Sequence, residues 1–154
     1  GLAAGEVEVP ADRRAAIDRA RARLQQGFAH LMGHRHGEAR DAFDEGLRLA
    51  EEALAGLSDV ERVVALPRTL LQGSYYNRAC LLARAMLGKT APDDAPTPVV
   101  AEEAARLAGE AFACLEKAVD VGWRSVAEAE ADADLAPLRA DPRWRAWMAR
   151  VRGR

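Results

Sequence analysis

The sequence predicts an all-α fold built of antiparallel helical hairpins, and three observations predict it. Alanine, the strongest helix former, occurs 34 times in 154 residues against seven prolines and 12 glycines, and aromatic residues are few. Apolar residues recur at spacings of three and four through most of the chain, with no alternating β-branched run. Small residues hold fixed places on consecutive helices: Ala79 in the middle of one apolar face, then Ala111 and Ala118 on either side of Leu115 on the next. Such placement lets two helix backbones approach closely, which is how helical-hairpin repeats pack.

Residues 1–10 (GLAAGEVEVP) carry two glycines and a proline without helical period and read as a tail or linker. A single domain is expected over 11–154, long enough to bury roughly two thirds of its unfolded surface. The first hairpin covers about 12–57. Its first helix places Ile17, Ala20, Leu24, Gly27, Phe28 and Leu31 on one face, and Gly33 is the expected stop. Its second helix aligns Ala39, Ala42, Phe43, Gly46, Leu47, Ala50, Ala53 and Leu54. The short turn between them makes the two antiparallel neighbours.

Ser58 and Glu61 form a capping box, so a new helical segment opens there, and Pro67 should break or kink it. The second hairpin covers about 68–121. Its first helix runs through Leu71, Tyr75, Ala79, Leu82 and Met86 to about Leu87. Three prolines and two aspartates make 88–98 an exposed loop. Thr97-Pro98 is the expected start of the next helix, which carries Val100, Ala104, Leu107, Ala111, Leu115 and Ala118 and ends at Gly122. A cap over 125–152 follows. Ser125 and Glu128 form a second capping box, and Asp141-Pro142 opens a last helix with Trp144, Trp147, Met148 and Val151 on one face.

Charge and composition exclude several functions. The net charge is -2, from 22 basic and 24 acidic residues, so no global field draws the chain to nucleic acid or a membrane surface. No apolar run approaches the roughly 18 residues needed to span a bilayer, and no export signal opens the chain, so a cytoplasmic protein is expected. Cys80 and Cys114 lie inside helical patterns and read as buried reduced thiols. No phosphate-cradling glycine loop, nucleophile elbow or helical zinc-protease motif occurs, so neither an enzyme nor a cofactor is expected.

Three clusters have a sharper and a blander reading. His30, His34 and His36 crowd the first turn, and the i,i+4 pair has the spacing of helical zinc ligands; without a second ligand motif a solvated turn is preferred over a metal site. The run RWRAWMARVRGR is basic and tryptophan-containing, yet its apolar residues share one face, which reads as a capping helix. The alternation of Glu128, Glu130, Asp132 and Asp134 lacks the glycine and terminal glutamate of a calcium loop and reads as a solvated acidic face.

The sets Leu24, Gly27, Phe28, Ala39, Phe43 and Gly46, and then Tyr76, Asn77, Ala79, Cys80, Ala83, Ala111, Leu115, Lys117, Ala118 and Val119, resemble two tetratricopeptide (TPR) helix pairs. Gly122, Trp123, Asp134 to Arg139 and Asp141 to Trp144 resemble the closing element of bacterial TPR arrays. The second pair departs by its proline-rich insertion, and Gly46 stands where alanine is usual. The resemblance implies an α-solenoid segment with a C-terminal capping helix, taken from the end of a larger bacterial regulatory or signalling protein. It also implies that the first helix of each pair lines a groove, with Arg21, Gln25, Phe28, Tyr76, Asn77, Cys80 and Arg84 as the peptide-binding residues. On that reading a protein or peptide is bound by a monomer or weak homodimer, with Asn77 pairing a peptide backbone and Arg84 a carboxylate. The alternatives are a purely structural or self-associating solenoid element and a metal-dependent activity at the histidines.

Overall fold

The computed structural model describes residues 7–89 and 93–153. Within them the chain forms eight α-helices and no strand: α1 (Arg14–Met32), α2 (His36–Leu54), α3 (Asp59–Ala65), α4 (Arg68–Met86), α5 (Ala101–Asp120), α6 (Val126–Ala131), α7 (Ala136–Arg139) and α8 (Pro142–Val151). Short 3-10 turns at Ala11–Arg13 and Ala133–Leu135 lead into α1 and α7. Most of the expected 1–10 tail, and residues 90–92 of the expected loop, lie outside the described residues. No helix among the described residues is long and apolar enough to cross a membrane.

The helices pair as their apolar faces require. Arg13 Nη1 donates to the carbonyls of Ala53 and Ala55, Arg23 Nε to Glu45, and Phe28 sets its ring edge-on to Phe43 with centroids 5.0 Å apart. Residue numbers that rise on α1 thus meet numbers that fall on α2, so the pair is antiparallel. Gln72 against Val121 and Arg78 against Cys114 establish the same sense for α4 and α5. Arg78 against Asp44 and Tyr75 against Glu51 make α4 antiparallel to α2 as well. Helix α4 therefore has neighbours nearly all round. Leu71, Ser74, Tyr75, Tyr76, Ala79, Cys80 and Leu81 to Ala83 are all buried, so its apolar residues encircle it where those of a surface helix form one stripe.

Gly46 explains itself here. A Cβ on it would lie 2.7 Å from Leu24 Cδ2 and 3.0 Å from the Leu24 backbone nitrogen, and one on Gly27 would lie 2.7 Å from the Phe43 ring. The α1–α2 contact is too close for alanine at either place.

Several boundaries differ from expectation. The chain leaves α1 at Gly33, but the left-handed residue is His34, at φ 58°. His34 N donates to Leu31 O and Arg35 N to His30 O, a Schellman closure with histidine in the place glycine usually takes. Pro67 separates two helices where a kink was possible: α3 ends at Ala65, and Leu66 is extended, as a residue before proline prefers. The first capping box forms, Ser58 Oγ accepting from Glu61 N at 3.2 Å and the Glu61 carboxylate accepting from Ser58 N at 3.0 Å. The second does not, because the Ser125 side chain caps nothing. Thr97 does not start α5: its hydroxyl donates to Gly88 O and its N–H to Leu87 O, closing the loop, so the helix begins at Ala101 and Val100 stays exposed.

Gly122 ends α5 as expected. At φ 100° it lets Trp123 N reach Ala118 O and its own N–H reach Val119 O, which turns the Trp123 ring back onto α4. There Tyr76, Trp123, Trp147 and Trp144 form a continuous aromatic column, with neighbouring centroids 4.6, 5.6 and 5.2 Å apart. Trp147 is wholly buried and donates its indole N–H to Leu115 O at 2.8 Å. Trp144 is half-buried under the Arg139 guanidinium.

Candidate functional site

The expected groove residues divide into two groups. On α1, Arg21 is pulled sideways, donating to Asp18 and to the carbonyl of Ala65, while Gln25 is exposed and Phe28 packs against Gly73 and Phe43. On α4, Tyr76, Asn77, Cys80 and Arg84 line one pocket of about 210 Å³ with Leu31, His34, His36, Glu128, Asp132 and Asp134. Four parts of the chain build it: the end of α1, the first residue of α2, the middle of α4, and the acidic segment running from α6 into the following 3-10 turn.

The acidic segment changes the chemistry of that face. Asp132 opens the 3-10 turn, accepting from Asp134 N with Oδ1, and turns Oδ2 toward α4. There Tyr76 Oη donates to it at 2.8 Å, and the Cys80 thiol lies 3.6 Å away. Arg84 donates twice to Asp134, at 2.7 and 2.6 Å, and its Nη1 lies 2.9 Å from His36 Nδ1. The fork expected to grip a partner's carboxylate is thus closed on a carboxylate of its own chain. Tyr76 offers the pocket only its hydroxyl, because its ring is stacked on Trp123. Burial pushes the Tyr76 hydroxyl far above its ordinary range, with Cys80 and the bond it donates to Asp132 adding to it, so it remains a donor. Burial likewise pushes the Cys80 thiol up, reinforced by Asp132 and Asp134, so it is no nucleophile near neutral pH. Both cysteines are buried free thiols, as the sequence predicts.

Asn77 donates its amide to Gly73 O at 2.8 Å, which leaves its carbonyl oxygen as an acceptor at the pocket wall. Glu128 stands exposed at the mouth. The acidic segment reads from sequence as a solvated face, but only Glu130 is bonded away from the pocket, to Arg152. Nothing local in the sequence marks its partners, which lie 50 or more residues earlier on α4.

The histidines do not converge. His30 lies 3.2 Å from Glu38 and accepts from Arg35, outside the pocket, and the rings of His34 and His36 are 6.3 Å apart. Cys80, Asp132 and Asp134 do bring ligand atoms within 4.8 Å of one another, but those atoms serve the network with Tyr76 and Arg84.

A second opening lies at the far end of α4. It is a cleft of about 480 Å³ between α3, the start of α4 and the end of α5. No protein-family model, curated protein or solved structure matches this chain.

Proposed function

We propose that the chain is a non-catalytic binding module of two TPR-type helical hairpins, closed by a capping segment, that holds a protein or peptide in the pocket on α4. Support for the hairpin assignment comes from two antiparallel pairs of which the second lays its first helix, α4, against both helices of the first, with glycine and alanine at the closest approaches.

The observation that carries the binding role is the convergence of Asn77, Tyr76 Oη, Glu128 and Asp132 on one pocket. Asp134 already neutralises Arg84, so Glu128 and Asp132 leave the pocket acidic. Its ligand is a peptide backbone that presents an N–H to Asn77 and a lysine, arginine or amino terminus to the carboxylates.

The test is a quantitative pull-down from the source organism with wild type and with Asn77→Ala/Glu128→Ala. Neither residue ties two elements together, so the fold should survive, whereas Arg84→Ala would strand Asp134. A partner held by wild type should bind the double variant roughly five- to 150-fold more weakly. Equal capture by both proteins, or capture by neither, removes the pocket as a binding site and leaves a structural role.

A further inference from the structure

Most arginines on this surface are held in ion pairs, and three that are not come together in one cleft. Among the described residues Arg62, Arg68 and Arg124, like Arg19, Arg40, Arg139 and Arg145 elsewhere, form no ion pair with a carboxylate, and these three together line the cleft at the far end of α4. Arg62 donates to Leu57 O, and Arg124 donates to Val119 O and Trp123 O, which places both guanidinium groups at the rim. Arg68, exposed in the first turn of α4, makes neither a hydrogen bond nor an ion pair with a described side chain. Two aspartates share the cleft. Asp120 is paired with Arg150 at 2.7 Å, so Asp59 alone opposes three cations.

The cleft floor is apolar: Leu54, Leu66, Leu71 and Val119 close it from below. One lip is α3, a seven-residue helix with Val60, Val63 and Val64 exposed by 57%, 44% and 51%. β-Branched residues are poor helix formers. Of the three, Val63 lines the cleft itself, while Val64 faces the neighbouring opening beside α1.

We propose that this cleft is a docking site for an acidic segment of a protein partner, which seats an aliphatic or aromatic side chain over Leu66 and Leu71 beside Val63 and presents carboxylates to Arg62, Arg68 and Arg124. The apolar floor supplies attraction without direction. The three guanidinium groups supply sign and register, since each is a planar fork matched to a carboxylate. A basic segment meets three like charges there and is rejected. The site is separate from the pocket on the middle of α4 and of opposite charge preference, so it stands or falls independently of the function proposed above.

The experiment is selection of a displayed library of random short peptides on the immobilised full chain, followed by fluorescence anisotropy on the peptides recovered. The pool should be enriched in Asp and Glu next to Leu, Ile or Phe. Arg68→Glu and, separately, Val63→Asp should each weaken binding about tenfold or more, and the wild-type affinity should fall as salt is raised. Glutamate in the first turn of α4 suits the positive end of that helix, so Arg68→Glu should leave the fold intact, which its circular dichroism and melting curve will show. Asn77→Ala/Glu128→Ala should leave these peptides' affinity unchanged. An empty selection, a pool without acidic enrichment, or peptides indifferent to Arg68→Glu overturns the proposal. So does a dimer in gel filtration that Val63→Asp dissociates, because the occupant is then a second copy. Peptides that are lost with Asn77→Ala/Glu128→Ala and kept with Arg68→Glu overturn it while sparing the α4 pocket.

Discussion

Asp141 shows how far one exposed carboxylate can be tuned without burial. It caps α8, with Oδ1 accepting from Arg143 N and Nε and Oδ2 accepting from Arg143 Nη2 at 2.7 Å. The Arg143 side chain first, and the backbone bond next, hold its pKa at about 2, below the ordinary 3.8. A folded-state pKa lowered in this way contributes stability that is complete above the unfolded pKa of about 3.9 and is lost as pH falls through about 2. Asparagine caps helices as well as aspartate does but carries no charge. Asp141→Asn should therefore lower the melting temperature slightly at neutral pH and flatten its fall between about pH 5 and pH 2 relative to wild type. Parallel melting profiles for the two proteins would show that the Arg143 fork adds nothing. The chain announces this cap in the pair Asp141-Pro142; the fork itself depends on a side-chain rotamer that no spacing encodes.

At the scale of the helices, α1 against α2 is the contact with the least tolerance. Alanine is worth about 1 kcal/mol more than glycine inside a helix, so Gly46→Ala would stabilise an isolated α2. In the fold its methyl meets the Leu24 side chain and backbone, and such overpacking costs about 1–3 kcal/mol. The net expectation is a loss of about 1 kcal/mol, read as a melting temperature a few degrees lower; a gain would mean the two helices slide apart freely. Helix positions are legible because period and caps are local signals; Gly27 and Gly46 fall on the expected faces, but the close contact that demands glycine there shows only in the fold. What misled were polar residues with two possible employers. Thr97 could cap a helix or close a loop, and the loop took it. Ser125 could cap α6 and does not. His34 adopts a left-handed turn that its neighbour Gly33 was better suited to supply.

Across the whole molecule, the aromatic column joins the cap to the hairpins. Trp147 is fully enclosed and hydrogen-bonded to α5, whereas Trp144 keeps one face under Arg139 at the surface. Trp147→Ala should cost about 3–5 kcal/mol, and Trp144→Ala about half as much or less, in urea denaturation. The reverse order would mean that the column is not the seat of the cap. Both tryptophans share one apolar face, as the spacing predicts, but the depth of Trp147 depends on the Gly122 turn that aims Trp123 between it and Tyr76. The candidate site was legible by half. Tyr76, Asn77, Cys80 and Arg84 do share a pocket, while Asp132 and Asp134, which decide its charge, lie about 50 residues along the chain in a pattern that resembles any wet acidic face.

The seat of Trp147 also fixes which faces of α4 and α5 stay accessible. Helix α4 reaches both helices of the hairpin before it, and any further hairpin would need the same two faces on α4 and α5. Those faces are taken: α8 lies on α5, and α7 with its preceding turn lies on α4. Among the described residues, those faces of α4 and α5 are therefore covered by the chain's own C-terminal helices.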